Sequence, residues 1–322
     1  MKTNQKILII GLSGSMGKLT AERINELGLS LVSFGIGAPE DNGKIVTIKW
    51  GNEKIQDYSI IDFNHIDEIQ LDIIKKEKPI IIDFTHKNVV KNNWEQYYKG
   101  WGCPVIFGTI GIKKSDIIGN KAPIIIGSPN LSPEIVEVLR AFSSLEEGSL
   151  KNFTFSISES HQEPKKEISG TAVRIEEYSK KAGAKENSPI EVIRDPQIQK
   201  QMGITEEYLN GHGWHTYKFF VDGHDLEHVN DLSETLSKLF YRITKSKLNT
   251  EKKNGKITNR WTNQTKTLEV IFEIKVENSE ITFTHNVNGR VPYIDGLFET
   301  VMPAIQKMIE NKSIEVKDMF DL

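Results

Sequence analysis

The residues best suited to chemistry lie in one stretch, Glu159-Ser160-His161-Gln162-Glu163-Pro164-Lys165-Lys166-Glu167-Ile168-Ser169-Gly170-Thr171-Ala172. A His or a Lys beside a ligand can supply a proton, and positive charge there stabilises negative charge as it develops. Ser169-Gly170-Thr171 is expected to open a helix, where hydroxyls and unpaired N–H groups make a carboxylate site. Together these features fit the reduction of an anionic ring, in which hydride addition leaves electron density to be protonated. A surface loop ending in a helix cap is the alternative. A lone His or Lys would favour that alternative; the ordered combination favours chemistry.

A second motif stands near the start. Gly11-Leu12-Ser13-Gly14-Ser15-Met16-Gly17 follows the apolar run Ile7-Leu8-Ile9-Ile10. Glycines let the backbone turn tightly and approach a pyrophosphate, and the helix that follows offers its N-terminus. The spacing is GxxGxxG rather than the commoner GxGxxG, so its position between strand and helix carries much of the inference. An acid at the end of the second strand would hydrogen-bond a ribose hydroxyl, whereas an Arg would accommodate a 2′-phosphate. The stretch Ser33 to Asp41 has no Arg. Glu40 and Asp41 fall slightly late, and Ser33 with backbone amides can hold a phosphate. NADH and NADPH both stay open. Asp83-Phe84-Thr85 and Gly108-Thr109-Ile110-Gly111 follow later apolar runs and would line the same crevice, though either can be ordinary turn chemistry.

These motifs need elements to position them. Strands are expected at Ile7–Ile10, Leu31–Ile36, Pro79–Phe84, Pro104–Phe107 and Ile124–Ile126. Helices are expected over about 16–27, 66–76 and 89–99. Such alternation implies crossover units and a doubly wound, Rossmann-like parallel sheet. After residue 130 the pattern changes. Helices are expected over 133–145 and from Ser169 to about Lys181, and strands at 153–157, 215–221, 267–276 and 281–285. The class is α/β: an N-terminal Rossmann-like domain (1–130), completed by the segment 289–322, and a second α+β domain with a mixed sheet (131–288). A last helix, about 296–309, would pack on the first domain.

Composition bounds the rest. The chain has 322 residues and a formal net charge of -3, without the basic excess of a duplex-binding protein. No run approaches the length that spans a bilayer, and no targeting segment is visible. The single cysteine, Cys103, builds neither a disulfide nor a cysteine zinc site and suits a reducing cytoplasm. His224 and His228 have i, i+4 spacing but match no zincin motif, so no metal is assigned. His212 and His285 are candidates for the substrate site, with structural hydrogen bonding the equal alternative. The five tryptophans are read as packing residues. Lys238 to Lys266 carries nine Lys or Arg and one acid, Glu251, with Asn254-Gly255 as a turn signal. It is read as a solvated hairpin or excursion; a contact surface for a partner is the sharper alternative.

The stretch from Glu159 to Ala172 resembles the signature of the dihydrodipicolinate reductase family and is more similar to its plant-type form, ESHQxxKxDxSGTA. Glu167 departs from it, standing for the usual Asp. Gln162 stands where bacterial members have a second His. Further similarities follow in family order: Gly11 to Gly17, Asp83-Phe84-Thr85, Gly108 to Gly111 (Ile110 for a Thr), Pro129-Asn130-Leu131-Ser132, Ile193-Arg194-Asp195-Pro196, Gly211-His212, His285 to Arg290 and Asp318 to Leu322. The resemblance implies His161 and Lys165 as acid/base residue and partner, with Ser169, Gly170, Thr171 and Gln162 at the substrate. It implies a nicotinamide cofactor, NADPH or NADH, near Gly11, Gly14, Ser15, Met16, Gly17, Ser33, Phe84, Thr85, Gly108, Thr109, Gly111, Asn130 and Arg290. The reaction it implies is hydride transfer to the ring derived from 4-hydroxy-tetrahydrodipicolinate, with loss of water, on the route to lysine. The partner is a small cyclic dicarboxylate, and the assembly a homo-oligomer, tetramer or dimer. The stretch between His212 and His285 is longer than the family leads one to expect. This insertion, about 232–266, bears on assembly. A reductase with another substrate and a non-enzymatic scaffold are the competing readings.

Overall fold

The computed structural model describes residues 5–51, 53–221, 234, 237–238, 241, 251–253, 256–263, 267–275 and 280–322. The chain divides into two compact units, Met1–Pro133 with Tyr293–Leu322, and Glu134–Pro292.

The first unit is built on an eight-stranded sheet. Its strands are β1 (Ile7–Ile10), β2 (Phe34–Ile36), β3 (Ile45–Trp50), β4 (Lys54–Ile61), β5 (Ile80–Asp83), β6 (Val105–Phe107), β7 (Ile124–Ile126) and the C-terminal strand Val316–Asp318. β1 lies between β2 and β5, and all pairings are parallel except β3 with β4. The chain therefore winds one way from β1 to β4 and the other way from β5 to β7, with the switch beside β1. Strands such as Ile80-Ile81-Ile82 are buried on both faces, which explains their unbroken apolar sequence.

The antiparallel β3–β4 pair lies outside the expected strand-helix alternation. In β3 exposed and buried residues alternate, the mark of a strand with one face in water. The second strand is shorter than its apolar run: Leu31 makes only an isolated bridge to Ile7.

Helix α1 (Ser15–Glu26) follows the first glycine loop, and Gly28 beyond it has φ +67. A capping box formed by Asp67 and Gln70 starts α2 (Glu68–Glu77). Helix α3 (Lys87–Asn93) continues through a π-helical turn, Trp94–Tyr98, into α4 (Lys99–Trp101). Trp94, Tyr98, Trp101 and Phe107 pack with the strand isoleucines in this unit's core.

The second unit is a mixed sheet. Its strands are β8 (Phe153–His161), β9 (Lys185–Glu186), β10 (Glu191–Ile193), β11 (His212–Val221), β12 (Glu251–Lys253), β13 (Lys256–Thr262), β14 (Leu268–Lys275) and β15 (Glu280–Asn288). Their order is β10-β8-β11-β15-β14-β13-β12, with β9 also on β8. β9 and β10 pair parallel with β8; the other pairs are antiparallel. Helix α5 (Pro133–Ser143) sets Phe142 against Tyr217 and Phe219, at ring-centroid distances of 5.8 and 6.0 Å. Helix α6 (Gly170–Lys181) buries Ala172 and Ile175. Helix α7 (Pro196–Gln201) is capped by the Asp195 carboxylate, with Pro196 at its first position.

Part of the basic segment forms a hairpin, with Glu251–Lys253 antiparallel to Lys256–Thr262. Lys256–Thr262 pairs with β14 along seven residues and widens the sheet. Asn254, Gly255, His224 and His228 lie outside the described residues. Among the described residues, no helix is long and apolar enough to cross a membrane.

Candidate functional site

In the first unit three loops leave the carboxyl ends of neighbouring strands, and backbone bonds join them. Gly11 N–H donates to Ile36 O at 2.7 Å, Phe84 N–H to Ile10 O at 3.0 Å, and Gly108 N–H to Asp83 O at 2.8 Å. The glycines are sterically required. A Cβ on Gly17 would stand 2.2 Å from Gly11 O, and one on Gly108 would stand 2.4 Å from Phe84 Cε1. Helix α1 begins after Gly14 with no side-chain cap, so its first N–H groups face outward for an anion. This cradle, closed to any side chain at Gly17, fits a dinucleotide pyrophosphate.

Asp83 anchors the second loop. It is fully buried, accepting from Thr85 N–H at 2.6 Å and from the Tyr98 hydroxyl at 2.7 Å. Burial raises its pKa, and the hydrogen bonds oppose that rise. The Thr109 hydroxyl donates to Thr85 O, tying the second loop to the third. Asp41 stands beside the first loop. Its carboxylate accepts from Ser13 Oγ and pairs with Lys44 Nζ, each at 2.6 Å. The bonds to Lys44 and Ser13 hold its pKa down, so it is ionised at neutral pH.

The second unit gathers the other set. His161 ends β8, and His212 and His215 lie on the adjacent β11. His161 Nδ1 is 3.0 Å from His212 O; a carbonyl only accepts, so Nδ1 carries the hydrogen. Its Nε2 faces Glu159 Oε2 at 3.2 Å. Glu159 is fully buried, and its other oxygen accepts from Arg194 Nη2 at 2.7 Å. Burial, then the charges of Lys165 and Arg194, push the His161 pKa down to about 2. Burial also lowers Lys165, against the pull of Glu159. The His161 Nε2 atom has essentially no solvent exposure, so handing a proton to a ligand requires the imidazole to turn.

Ser169 precedes α6 without a side-chain capping bond; its hydroxyl lies 2.8 Å from His215 Nε2. His215 stacks on His285, ring centroids 4.6 Å apart. Burial pushes both rings down, His285 to about 3 and His215 well below its ordinary value. Glu159, His161 and His215 bring one carboxylate oxygen and two ring nitrogens within 4.8 Å of one another. The charges of Arg194 and Lys165 disfavour a divalent cation among them.

Residues 5–122 match the family model for the dihydrodipicolinate reductase N-terminus. The chain is 32% identical to a probable 4-hydroxy-tetrahydrodipicolinate reductase 1, chloroplastic, of Oryza sativa subsp. japonica, over 98% of this chain and 78% of that protein. The chain belongs to the dihydrodipicolinate reductase family. To 4-hydroxy-tetrahydrodipicolinate reductase 1, chloroplastic, of Arabidopsis thaliana it is 27% identical, over 66% of this chain. The match spans 62% of that relative's length, under two thirds. A dipicolinate-bound dihydrodipicolinate reductase from Paenisporosarcina sp. TG-14 shares the fold, with a TM-score of 0.51 at 14% identity over 98% of each chain.

The residues singled out in the sequence fall in two groups. Gly11, Gly14, Phe84, Thr85, Gly108, Thr109 and Gly111 lie in the three loops of the first unit, and Ser15, Met16 and Gly17 in the first turn of α1. Asn130 also belongs to that unit, but its Oδ1 accepts from Ser132 N–H at 2.8 Å and serves an internal turn. Ser33 is corrected. It precedes β2, at the amino end of that strand, whereas the nucleotide loops leave the carboxyl ends. Asp41, considered late by sequence, is the side chain that reaches the loop.

His161, Gln162, Lys165, Ser169, Gly170 and Thr171 belong to the second unit. Arg290 does too, its guanidinium lying against Gly211, and a nucleotide role for it rests on the resemblance alone. Of the histidine pair, His212 is engaged structurally: its ring bonds Ser160 Oγ at 2.9 Å and Tyr208 O at 3.0 Å. Sequence reasoning missed Glu159, Arg194 and His215 as parts of the site. The one signal for Arg194 was its place in Ile193-Arg194-Asp195-Pro196.

Proposed function

We propose that the chain is a 4-hydroxy-tetrahydrodipicolinate reductase, transferring hydride from NADH or NADPH and giving tetrahydrodipicolinate with loss of water in lysine biosynthesis. Family membership over nearly the whole chain carries the reading. The site supports it: His161, Lys165 and the N-terminus of α6 form one anion-binding, proton-bearing group, and the first unit holds a pyrophosphate cradle. The nicotinamide, when bound, supplies the hydride. The chain's own residues do the rest. Among the described residues the Lys165 ammonium has no hydrogen-bonding partner and is available to a carboxylate or to developing negative charge. Thr171 and the first N–H groups of α6 hold a carboxylate, and His161 supplies the proton.

The substrate is a small cyclic dicarboxylate, the class to which the dipicolinate held by the Paenisporosarcina reductase belongs. The cofactor is NADH in preference to NADPH, because the ionised Asp41 beside Ser13 is an acceptor for a ribose hydroxyl, although its pairing with Lys44 offsets its repulsion of a 2′-phosphate. The assembly is a homo-oligomer, dimer or tetramer, as the resemblance implies; light scattering on the purified protein tests it. A cytoplasmic site fits the lone buried Cys103, whereas the plant relatives are named chloroplastic; fractionation of the source cells tests the location.

The test of the function couples the purified chain to a dihydrodipicolinate synthase and follows oxidation of each nucleotide.

A further inference from the structure

One side chain outside the signature stretch binds both the Glu159 carboxylate and the backbone of the loop that carries Lys165. Arg194 follows β10, which runs parallel to β8 with Val192 opposite Glu159 and Ile193 opposite Ser160. Its guanidinium makes four hydrogen bonds. Nη2 donates to Glu159 Oε1 at 2.7 Å and to Glu167 O at 3.2 Å; Nε donates to Lys165 O at 2.9 Å and Nη1 to Ile193 O at 2.9 Å. A planar fork of this kind fixes direction as well as charge.

The other side of Glu159 is unfinished. His161 Nδ1 already donates to His212 O, so a neutral ring offers only a lone pair at Nε2. That lone pair faces Glu159 Oε2 at 3.2 Å, and among the described residues neither atom has a hydrogen-bond partner. Two buried acceptors in contact are unfavourable, and a single proton between them makes the contact a charge-assisted bond. The charged and titratable groups around the ring are Glu159 on its own strand, His212 and His215 on β11, Lys165 on the following loop, and Arg194 after β10. Lys165 and Arg194 oppose that proton while no anion is present.

We infer that Arg194 and Glu159 are positioning residues that make His161 a substrate-loaded proton holder: a dicarboxylate bound beside Lys165 draws one proton onto His161 Nε2, against Glu159. Arg194 saturates the far oxygen of Glu159, so the proton goes to the ring rather than the carboxylate, and it fixes the Lys165 and Glu167 carbonyls so that the ammonium stays in place. No electrons move in this step. The proton comes from solvent, and His161 passes it on after the imidazole turns. The inference rests on the proposed substrate class.

The experiment is calorimetric titration of the full-length protein with pyridine-2,6-dicarboxylate at pH 8, in buffers of differing ionisation enthalpy, for wild type, Glu159→Gln and Arg194→Lys. The slope of heat against buffer enthalpy counts protons taken up. Wild type is expected to take up about one proton per site, and Glu159→Gln less than about half of one, because an amide donates to Nε2 and removes the need for a proton. Arg194→Lys keeps the charge but loses the fork, and is expected to fall between them. An unchanged slope in folded Glu159→Gln overturns the inference.

A second readout needs no ligand: ¹⁵N-histidine spectra of the free protein, with His161 assigned from its loss in His161→Asn. The His161 Nε2 resonance should move in Glu159→Gln; an unmoved resonance overturns the pairing. Failure of wild type to bind the dianion tells instead against the proposed function, while the spectra still decide the pairing. If Arg194→Lys does not fold, Glu159→Gln alone decides.

Discussion

The Ser169 hydroxyl stands 2.8 Å from His215 Nε2, so the residue at the start of helix α6 turns its oxygen inward instead of capping the helix. The first N–H groups of the helix are thereby left without a side-chain cap, and His215 is held by the residue that opens it. Thr171, buried one position into the helix, is the remaining hydroxyl of the motif. Replacing Thr171 with Val is expected to weaken dicarboxylate binding while nucleotide binding changes little. Separate titrations of the two ligands check this; equal losses would contradict the carboxylate assignment.

His161 sets its Nε2 against Glu159, without a hydrogen-bond partner among the described residues, and lies close enough to Lys165 to feel its charge. Replacing it with Ala should lower turnover by roughly a hundredfold, the contribution of a lost general acid. Steady-state kinetics check this, and unchanged turnover in a folded variant would remove the role.

Asp41 bears on the choice of nucleotide. Replacing it with Asn removes the negative charge next to Ser13 but keeps the side-chain shape. The ratio of kcat/KM for NADH over that for NADPH should fall by roughly tenfold or more, the scale of one hydrogen bond to a charged group. A ratio that does not move would place nucleotide choice elsewhere.

Acid should destabilise the second unit through its buried imidazoles. The folded-state pKa of His285 is depressed to about 3, from an ordinary 6.5. Between these values the unfolded chain binds a proton that the folded chain does not, so stability falls as pH drops below 6.5 and is level above it. His285 alone contributes on the order of 1 kcal/mol per pH unit within that window. His215 acts with the same sign. Urea midpoints between pH 7 and pH 5 should therefore decline, and decline less steeply in His285→Asn. Equal slopes in the two proteins would contradict this.

Much of this was legible in the sequence, for identifiable reasons. Ile7–Ile10 and Ile80–Asp83 are buried on both faces, so their apolar runs mark them as interior strands. Gly17 tolerates no Cβ, which ties the glycine spacing to the loop geometry. Ser33 was misplaced because the apolar run from Leu31 overstates β2, which begins only at Phe34. Arg194 was hidden because its partner Glu159 lies 35 positions away, brought near by β10, three residues long and largely exposed. No periodicity announces such a strand. The role of β13 was half legible: the basic residues and the turn signal suggested a hairpin, and Glu251–Lys253 does pair with Lys256–Thr262, whereas nothing in that charged run announces that β13 also pairs along its length with β14.

The central claim is the reaction. Purified protein supplied with a dihydrodipicolinate synthase, pyruvate and aspartate semialdehyde should oxidise NADH, and NADPH more slowly, only while the synthase product is present. Folded protein that binds nucleotide yet oxidises neither cofactor under those conditions would contradict it.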